Sequence, residues 1–307
     1  MSKTNSNQKQ VRTLFMKDAN TLKFPATDGF SLAYRCWNTT KPVKRVVVCI
    51  HGIGDYSGWF RNISPDLATD SNQVYAFDLR GFGNSLEEAY PRGCVSDFDR
   101  HLQDIDDFVV HLRSLHKRKK LYLLGHSLGG VYALWHAANH PDALDGLVLA
   151  APAVVSSMNS RKNQITLSFA STFTPRKTHN PYASSNAKNR DPEEIKIMLE
   201  DPLETPQLSV NYLSSVKKIL LKAVLKNALL IRAPVLILQG EADTTVLPAG
   251  AKLLYSKLNA EDKKLELFPD AGHWFYDALS PAFPRTKFDP AKREQFVSAV
   301  KDWLRNH

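Results

Sequence analysis

A serine stands between two glycines at Gly125-His126-Ser127-Leu128-Gly129, and a further glycine follows at Gly130. Such a serine can act as a nucleophile when it sits on a sharp turn from strand to helix. The backbone is strained there, and neighbouring chain passes so close that side chains at the flanking positions would collide. The pattern by itself arises by chance. Its context here is the one the chemistry needs: an apolar strand, Leu121 to Leu124, precedes it, and a helical pattern, Leu128 to Asn139, follows.

A serine hydroxyl is a poor nucleophile at neutral pH, so it needs a histidine base and a carboxylate that orients the base, in the chain order serine, acid, histidine. Beyond the last strands only His273 and His307 remain, and His307 is the terminal residue, where fraying would spoil positioning. His273 follows the strand Leu265 to Phe268 through Pro269-Asp270-Ala271-Gly272 and is the predicted base. For the acid, the strand Val235 to Gln239 ends in Gly240-Glu241-Ala242-Asp243, just past a strand's carboxyl end, where open α/β sheets build their sites. Asp243 is preferred. Glu241 and Asp270 compete, the first lying earlier in the turn and the second on the histidine's own loop, where it suits shaping the turn. A tetrahedral intermediate also needs two donors for its oxyanion. The backbone N–H groups of Leu128, after the serine, and of Ile53, in His51-Gly52-Ile53-Gly54 after the strand Arg45 to Ile50, are the candidates; His51 reads as a residue that pins this loop.

These residues require a sheet to hold them. Residues 22 to 37 alternate around Thr27-Asp28-Gly29 as an antiparallel entry hairpin. The apolar runs Arg45 to Ile50, Val74 to Asp78, Leu121 to Leu124, Leu147 to Ala150, Val235 to Gln239 and Leu265 to Phe268 alternate with helical patterns near 59 to 69, 97 to 116, 128 to 139, 249 to 258 and 291 to 304. Continuous apolar strands alternating with helices predict an α/β fold, a mostly parallel sheet covered on both faces. The alternation stops between about 152 and 232, too long a gap for a structureless loop. Val210, Leu213, Val216, Leu220, Val224 and Leu225 form an apolar stripe there, opposite Lys217, Lys218, Lys222 and Lys226. From Met158 to Arg232 there are 12 basic and 6 acidic residues, so this cap carries much of the net charge of +9. An ordinary helix with a solvated lysine face is preferred; a lid resting on anionic lipid has the same pattern.

At 307 residues, 43% hydrophobic and 23% charged, the chain has material for one large core with an insertion. Met1 to Gln10 lack the apolar stretch of a secretory signal, and no run approaches the ~18 apolar residues of a membrane span, which predicts a cytoplasmic placement, peripheral to membrane if the cap binds lipid. Cys36, Cys49 and Cys94 have neither disulfide nor zinc spacing, and no metal or other cofactor is expected. The basic run Lys117-Arg118-Lys119-Lys120 suits a helix C-terminus, and no nucleic-acid-binding motif accompanies the charge.

The chain resembles the monoacylglycerol lipase and lysophospholipase-like branch of the α/β-hydrolases. The resemblance is carried by His51-Gly52-Ile53-Gly54-Asp55-Tyr56-Ser57-Gly58, Asp78-Leu79-Arg80-Gly81-Phe82-Gly83-Asn84-Ser85, Val95-Ser96-Asp97-Phe98, Gly125 to Gly130, and the Gly240 to Asp243 and Gly272-His273 segments. It implies a catalytic triad of Ser127, Asp243 and His273 with oxyanion donors Ile53 and Leu128. It also implies a cofactor-free hydrolysis of carboxylic esters through an acyl-enzyme, on a small-molecule acyl ester or lipid. Members often read Gly-Glu-His-Ser where this chain has Gly54-Asp55-Tyr56-Ser57, a change at the pocket mouth, so the resemblance carries hydrolysis further than a monoglyceride preference. Acyl transfer and thioester hydrolysis would use the same triad, and a ligand-binding protein that keeps the pocket is the non-enzymatic alternative. The expected organisation is a flexible segment 1–20, a core of 21–152 and 233–307, and a cap of 153–232.

Overall fold

The computed structural model describes residues 21–155, 174–180, 201–274 and 290–307. The expected flexible segment 1–20 and residues 156–173 and 181–200 of the expected cap lie outside the described residues. In chain order the strands are β1 Leu22–Pro25, β2 Ser31–Trp37, β3 Arg45–Ile50, β4 Asn72–Phe77, β5 Lys120–His126, β6 Gly146–Ala150, β7 Thr178–His179, β8 Leu208–Ser209, β9 Val235–Gly240 and β10 Lys263–Phe268. The helices are α1 Ser64–Ala68, α2 Phe98–Leu115, α3 Leu128–Asn139, α4 Val210–Ser215, α5 Val224–Ala228, α6 Pro248–Lys257 and α7 Pro290–Asn306.

Eight strands form one sheet in the order β1-β2-β4-β3-β5-β6-β9-β10. β1 pairs antiparallel with β2, and β2 with β4; every later pairing is parallel. The entry hairpin turns on Gly29 at φ 82°, with Phe30 N–H donating to Asp28 Oδ1 at 3.0 Å. The strands are apolar on both sides because both faces are covered. Val46, Val48 and Ile50 of β3 point into a core with α2, α3 and α6, while Val47 and Cys49 point into a second core with α1 and α7.

Sequence expectation and structure agree on the elements and differ at two places. The helix expected near 59 to 69 is a 3-10 turn, Ser57–Phe60, followed by α1. Pro65 has no N–H for a continuing helix and instead starts a new one. The expected cap helix is α4, a π-helical turn Val216–Leu221, and α5. The wider turn, closed by Lys222 N–H to Lys217 O, keeps Val216, Leu220, Val224 and Ala228, four apart, against the core. The lysine face stays partly or fully exposed as expected. This stretch packs on α3, and Tyr212 OH lies 3.1 Å from Tyr132 OH, which in turn meets His101 Nε2 at 2.9 Å.

From β3 the chain moves to β4 on one side and later to β5 on the other, so the strand order reverses there. That reversal opens a crevice at the carboxyl ends of β3 and β5, the place where ligands bind in such sheets.

Candidate active site

Ser127 stands at that crevice, between the end of β5 and the first residue of α3, with φ 54° and ψ −117°. Positive φ is costly for a residue with a β-carbon, and tight flanking contacts hold it. A Cβ on Gly125 would overlap the Gly129 backbone, and one on Gly129 would overlap the Ile50 carbonyl. Ser127 N–H donates to Ala150 O at 2.9 Å, which ties the turn to β6. Although Ser127 occupies the N-cap of α3, its hydroxyl makes no capping bond.

The hydroxyl meets His273 instead. His273 Nε2 lies 3.1 Å from Ser127 Oγ, and His273 Nδ1 lies 2.7 Å from Asp243 Oδ2. Asp243 is itself held: its Oδ1 accepts from Thr245 N–H and Val246 N–H, both at 2.8 Å, and its Oδ2 accepts from the Gln239 amide at 3.1 Å. The three residues come from loops after β5, β9 and β10, all at one edge of the sheet, and Asp243 and His273 are 2% and 6% exposed. A carboxylate facing Nδ1 fixes the ring and leaves Nε2 toward the serine, the arrangement that lets an imidazole take the hydroxyl proton. Both competing carboxylates stay apart from it. Glu241 is exposed, and Asp270 is an exposed turn residue at φ 56°. His307 is not frayed; it bonds Trp303 O at 2.7 Å and Asp262 Oδ2 at 2.8 Å, so position excludes it.

The loop after β3 runs beside the serine: a Cβ on Gly52 would lie 3.3 Å from Ser127 Cβ. His51 pins this loop as expected. Its Nε2 accepts from Leu79 N–H at 3.0 Å and its Nδ1 faces Gly52 O at 2.9 Å, and burial pushes its pKa down to about 4, so the ring is neutral. Leu128 opens α3, where N–H groups have no acceptor within the helix. The segment Asp78 to Ser85 is scaffolding. Asp78 Oδ1 accepts from Ser57 N–H at 2.8 Å, its Oδ2 from Asn84 N–H at 2.7 Å, and Ser85 Oγ accepts from Ala33 N–H at 2.8 Å. Asp97 caps α2, accepting from Asp99 N–H at 2.9 Å.

Several neighbours of the site were not singled out from sequence. His126 and Trp274 flank His273, with ring centroids at 4.9 Å and 4.8 Å, and Trp274 stacks on Trp59 at 4.6 Å. Burial, and next the proximity of His273, holds the His126 pKa well below its usual range, so this wall of the site is uncharged. Beyond it Trp59 Nε1–H donates to Glu204, and Tyr56 OH donates to Asp201 Oδ2 at 2.8 Å. Burial raises both carboxyl pKa values, Glu204 further because Asp55 and Asp201 are near.

The family model described as serine aminopeptidase S33 (Hydrolase_4) matches residues 41–276. The chain belongs to this Hydrolase_4 family. Among similar relatives are the human monoglyceride lipase, 29% identical with 82% of each chain covered, and the monoacylglycerol lipase of Mycolicibacterium smegmatis, 25% identical over 92% of this chain and 96% of the other. A crystal structure of Paleococcus ferrophilus monoacylglycerol lipase superposes with a TM-score of 0.74 at 29% identity, covering 89% of this chain and 98% of that one. The soluble variant of the Saccharomyces cerevisiae monoglyceride lipase gives 0.76 at 20% identity over 93% and 94%, a likeness of fold. This Hydrolase_4 member is thus an α/β-hydrolase and a carboxylic ester hydrolase of the serine type, similar to monoglyceride lipases. Among the described residues no helix is long and apolar enough to cross a membrane.

Proposed function

We propose that Ser127, His273 and Asp243 carry out this ester hydrolysis, on single-chain acyl esters of the monoacylglycerol and lysophospholipid kind. The observation that carries the reading is the unbroken run from Asp243 Oδ2 through His273 to Ser127 Oγ at 2.7 Å and 3.1 Å, on a strained strand-to-helix turn. Ser127 Oγ attacks the acyl carbonyl as His273 Nε2 takes its proton, and the oxyanion is met by the N–H groups of Leu128 and Ile53. His273 then protonates the leaving alcohol, and a water deprotonated by the same nitrogen releases the acid. Asp243 holds the ring and stabilises its charged form. Residues 153–232 act as the cap that shapes the acyl pocket. The exposed Lys218, Lys222 and Lys226, with exposed Leu229 and Leu230 after them, suit transient contact with an anionic lipid surface.

A fluorophosphonate probe should label the wild-type protein and not Ser127→Ala. Turnover of p-nitrophenyl esters should rise from acetate to medium or long chains, and further with anionic vesicles, while Ser127→Ala falls by at least ~10³-fold. Full activity in Ser127→Ala refutes the nucleophile, an acetate-only profile refutes the lipid substrate, and preference for an amino-acid p-nitroanilide replaces the ester reading with a peptidase one.

A further inference from the structure

At the end of α3 far from Ser127, His136 lies in the last turn and His140 is the residue that caps it, with a backbone that has left the helix, and both face Asp106 of α2. Each of the three offers one ligand atom, and these atoms all lie within 4.8 Å of one another. We propose that Asp106, His136 and His140 form a binding site for a divalent transition metal, zinc by chemistry, which clamps α2 to α3. The two histidines come together because His140 N–H closes the last turn on His136 O at 2.8 Å.

Two of the three ligand separations are those of a metal polyhedron. His136 Nε2 lies 3.2 Å and His140 Nδ1 lies 3.5 Å from the same carboxylate oxygen. With zinc to nitrogen and oxygen bonds of about 2.0 to 2.1 Å, a tetrahedron has edges of about 3.4 Å. Two imidazoles and a carboxylate suit zinc, nickel or copper and are too nitrogen-rich for calcium or magnesium. The other carboxylate oxygen, Asp106 Oδ2, accepts from the Gln103 amide at 3.1 Å, which turns Oδ1 toward the histidines. Access is open on one side only: the His136 side chain is fully buried, that of Asp106 is 17% exposed and that of His140 36%. An ion would enter past His140, and water would complete its shell.

Two features set the strength. The rings of His136 and His140 are stacked, with centroids 4.7 Å apart and planes at 25°, so closing on one ion requires the outer ring, His140, to turn. His136 Nδ1 is buried and has no hydrogen-bond partner, so the outer-shell acceptor that strengthens metal-bound histidines is missing. The site therefore binds about 10- to 100-fold more weakly than one that has such support. It lies about 13 Å along α3 from Ser127, so it acts on the helix and not on the reacting atoms.

The test is a calorimetric titration of metal-stripped full-length protein with zinc chloride in a non-chelating buffer. Wild type, His140→Ala and Asp106→Asn are compared, and far-UV circular dichroism checks that each variant is folded. Wild type should bind one zinc per chain and gain about 2 °C in Tm at saturation, whereas each variant binds at least tenfold more weakly and gains nothing. Absence of saturable binding by wild type, or a Kd unchanged in both variants, overturns the site and leaves the cluster as a hydrogen-bonded contact between two helices.

Discussion

Ser127 holds its backbone at φ 54° and ψ −117°, a conformation that costs a β-carbon on the order of 1 to 3 kcal/mol. Its hydroxyl gives up the capping bond that an N-cap serine normally makes and turns to His273 at 3.1 Å. As the proposed nucleophile, Ser127 is thus a place where stability is exchanged for chemistry. Replacing Ser127 with glycine removes the strain, partly offset by the greater freedom of glycine in the unfolded chain, so the inactive variant should gain about 1 kcal/mol, or about 2 °C in Tm. A scanning-calorimetry Tm at or below that of wild type would show that the elbow is relaxed. Residues of this kind are legible in a sequence because each is tied to a rule of order or local backbone: a glycine-flanked serine, a carboxylate past a strand end, the last well-placed histidine. Trp59, Trp274 and Glu204 obey no such rule. Trp59 meets Glu204 and Trp274 across 145 or more residues, and an isolated aromatic or acid in a loop looks like any other until the chain has folded.

Among the elements, α3 has the least freedom. It must approach β3 so closely that the Ile50 and His51 carbonyl oxygens occupy the space a side chain on Gly129 would need, whereas a Cβ on Gly130 would lie 3.1 Å from Pro152 Cβ, a tight contact that a shift of a few tenths of an ångström relieves. Gly129→Ala should therefore destabilise by more than about 3 kcal/mol, because backbone cannot step aside, and Gly130→Ala by about 1 kcal/mol or less. Urea unfolding of the two variants separates them; equal losses would mean that α3 shifts freely on the sheet. Strand and helix cores were readable to within a residue or two, since apolar runs and 3.6-residue stripes are strong signals. The errors fell where local chemistry interrupts a stripe that still reads as continuous. Pro65 splits the helix after β3, and the π turn at Val216–Leu221 widens the cap segment without altering which residues face inward.

The molecule as a whole buries uncharged histidines. His51, His101 and His126 are fully enclosed, and burial pushes their pKa values down, to about 4 for His51 and about 3 for His101. In the unfolded chain each takes a proton near pH 6.5, so below that pH the unfolded state binds more protons and stability falls as the pH drops toward the folded values. Glu204, Asp201 and Asp104, whose raised pKa values have the opposite sign, offset only part of this, because His136, His111 and His116 are lowered as well. Tm should be nearly level from pH 8 to 7 and decline steadily from pH 6.5 to 4.5; a level profile across that range would mean that these rings already share their protons in the fold.

β6 and β9 are direct neighbours in the sheet, yet the whole segment 151–234 runs between them. In polymer terms their pairing closes one long ring, and the closure entropy of a ring grows only with the logarithm of its contour, about 0.6 kcal/mol for each doubling. Lengthening that ring hardly moves the stability of the sheet beneath it so long as Tyr212, Val216, Leu220, Val224 and Ala228 keep their places in the core. Ser127, Asp243 and His273 all sit on the sheet's edge outside the ring, so a lineage that kept those core contacts could vary the rest of the segment over the proposed triad at little thermodynamic risk.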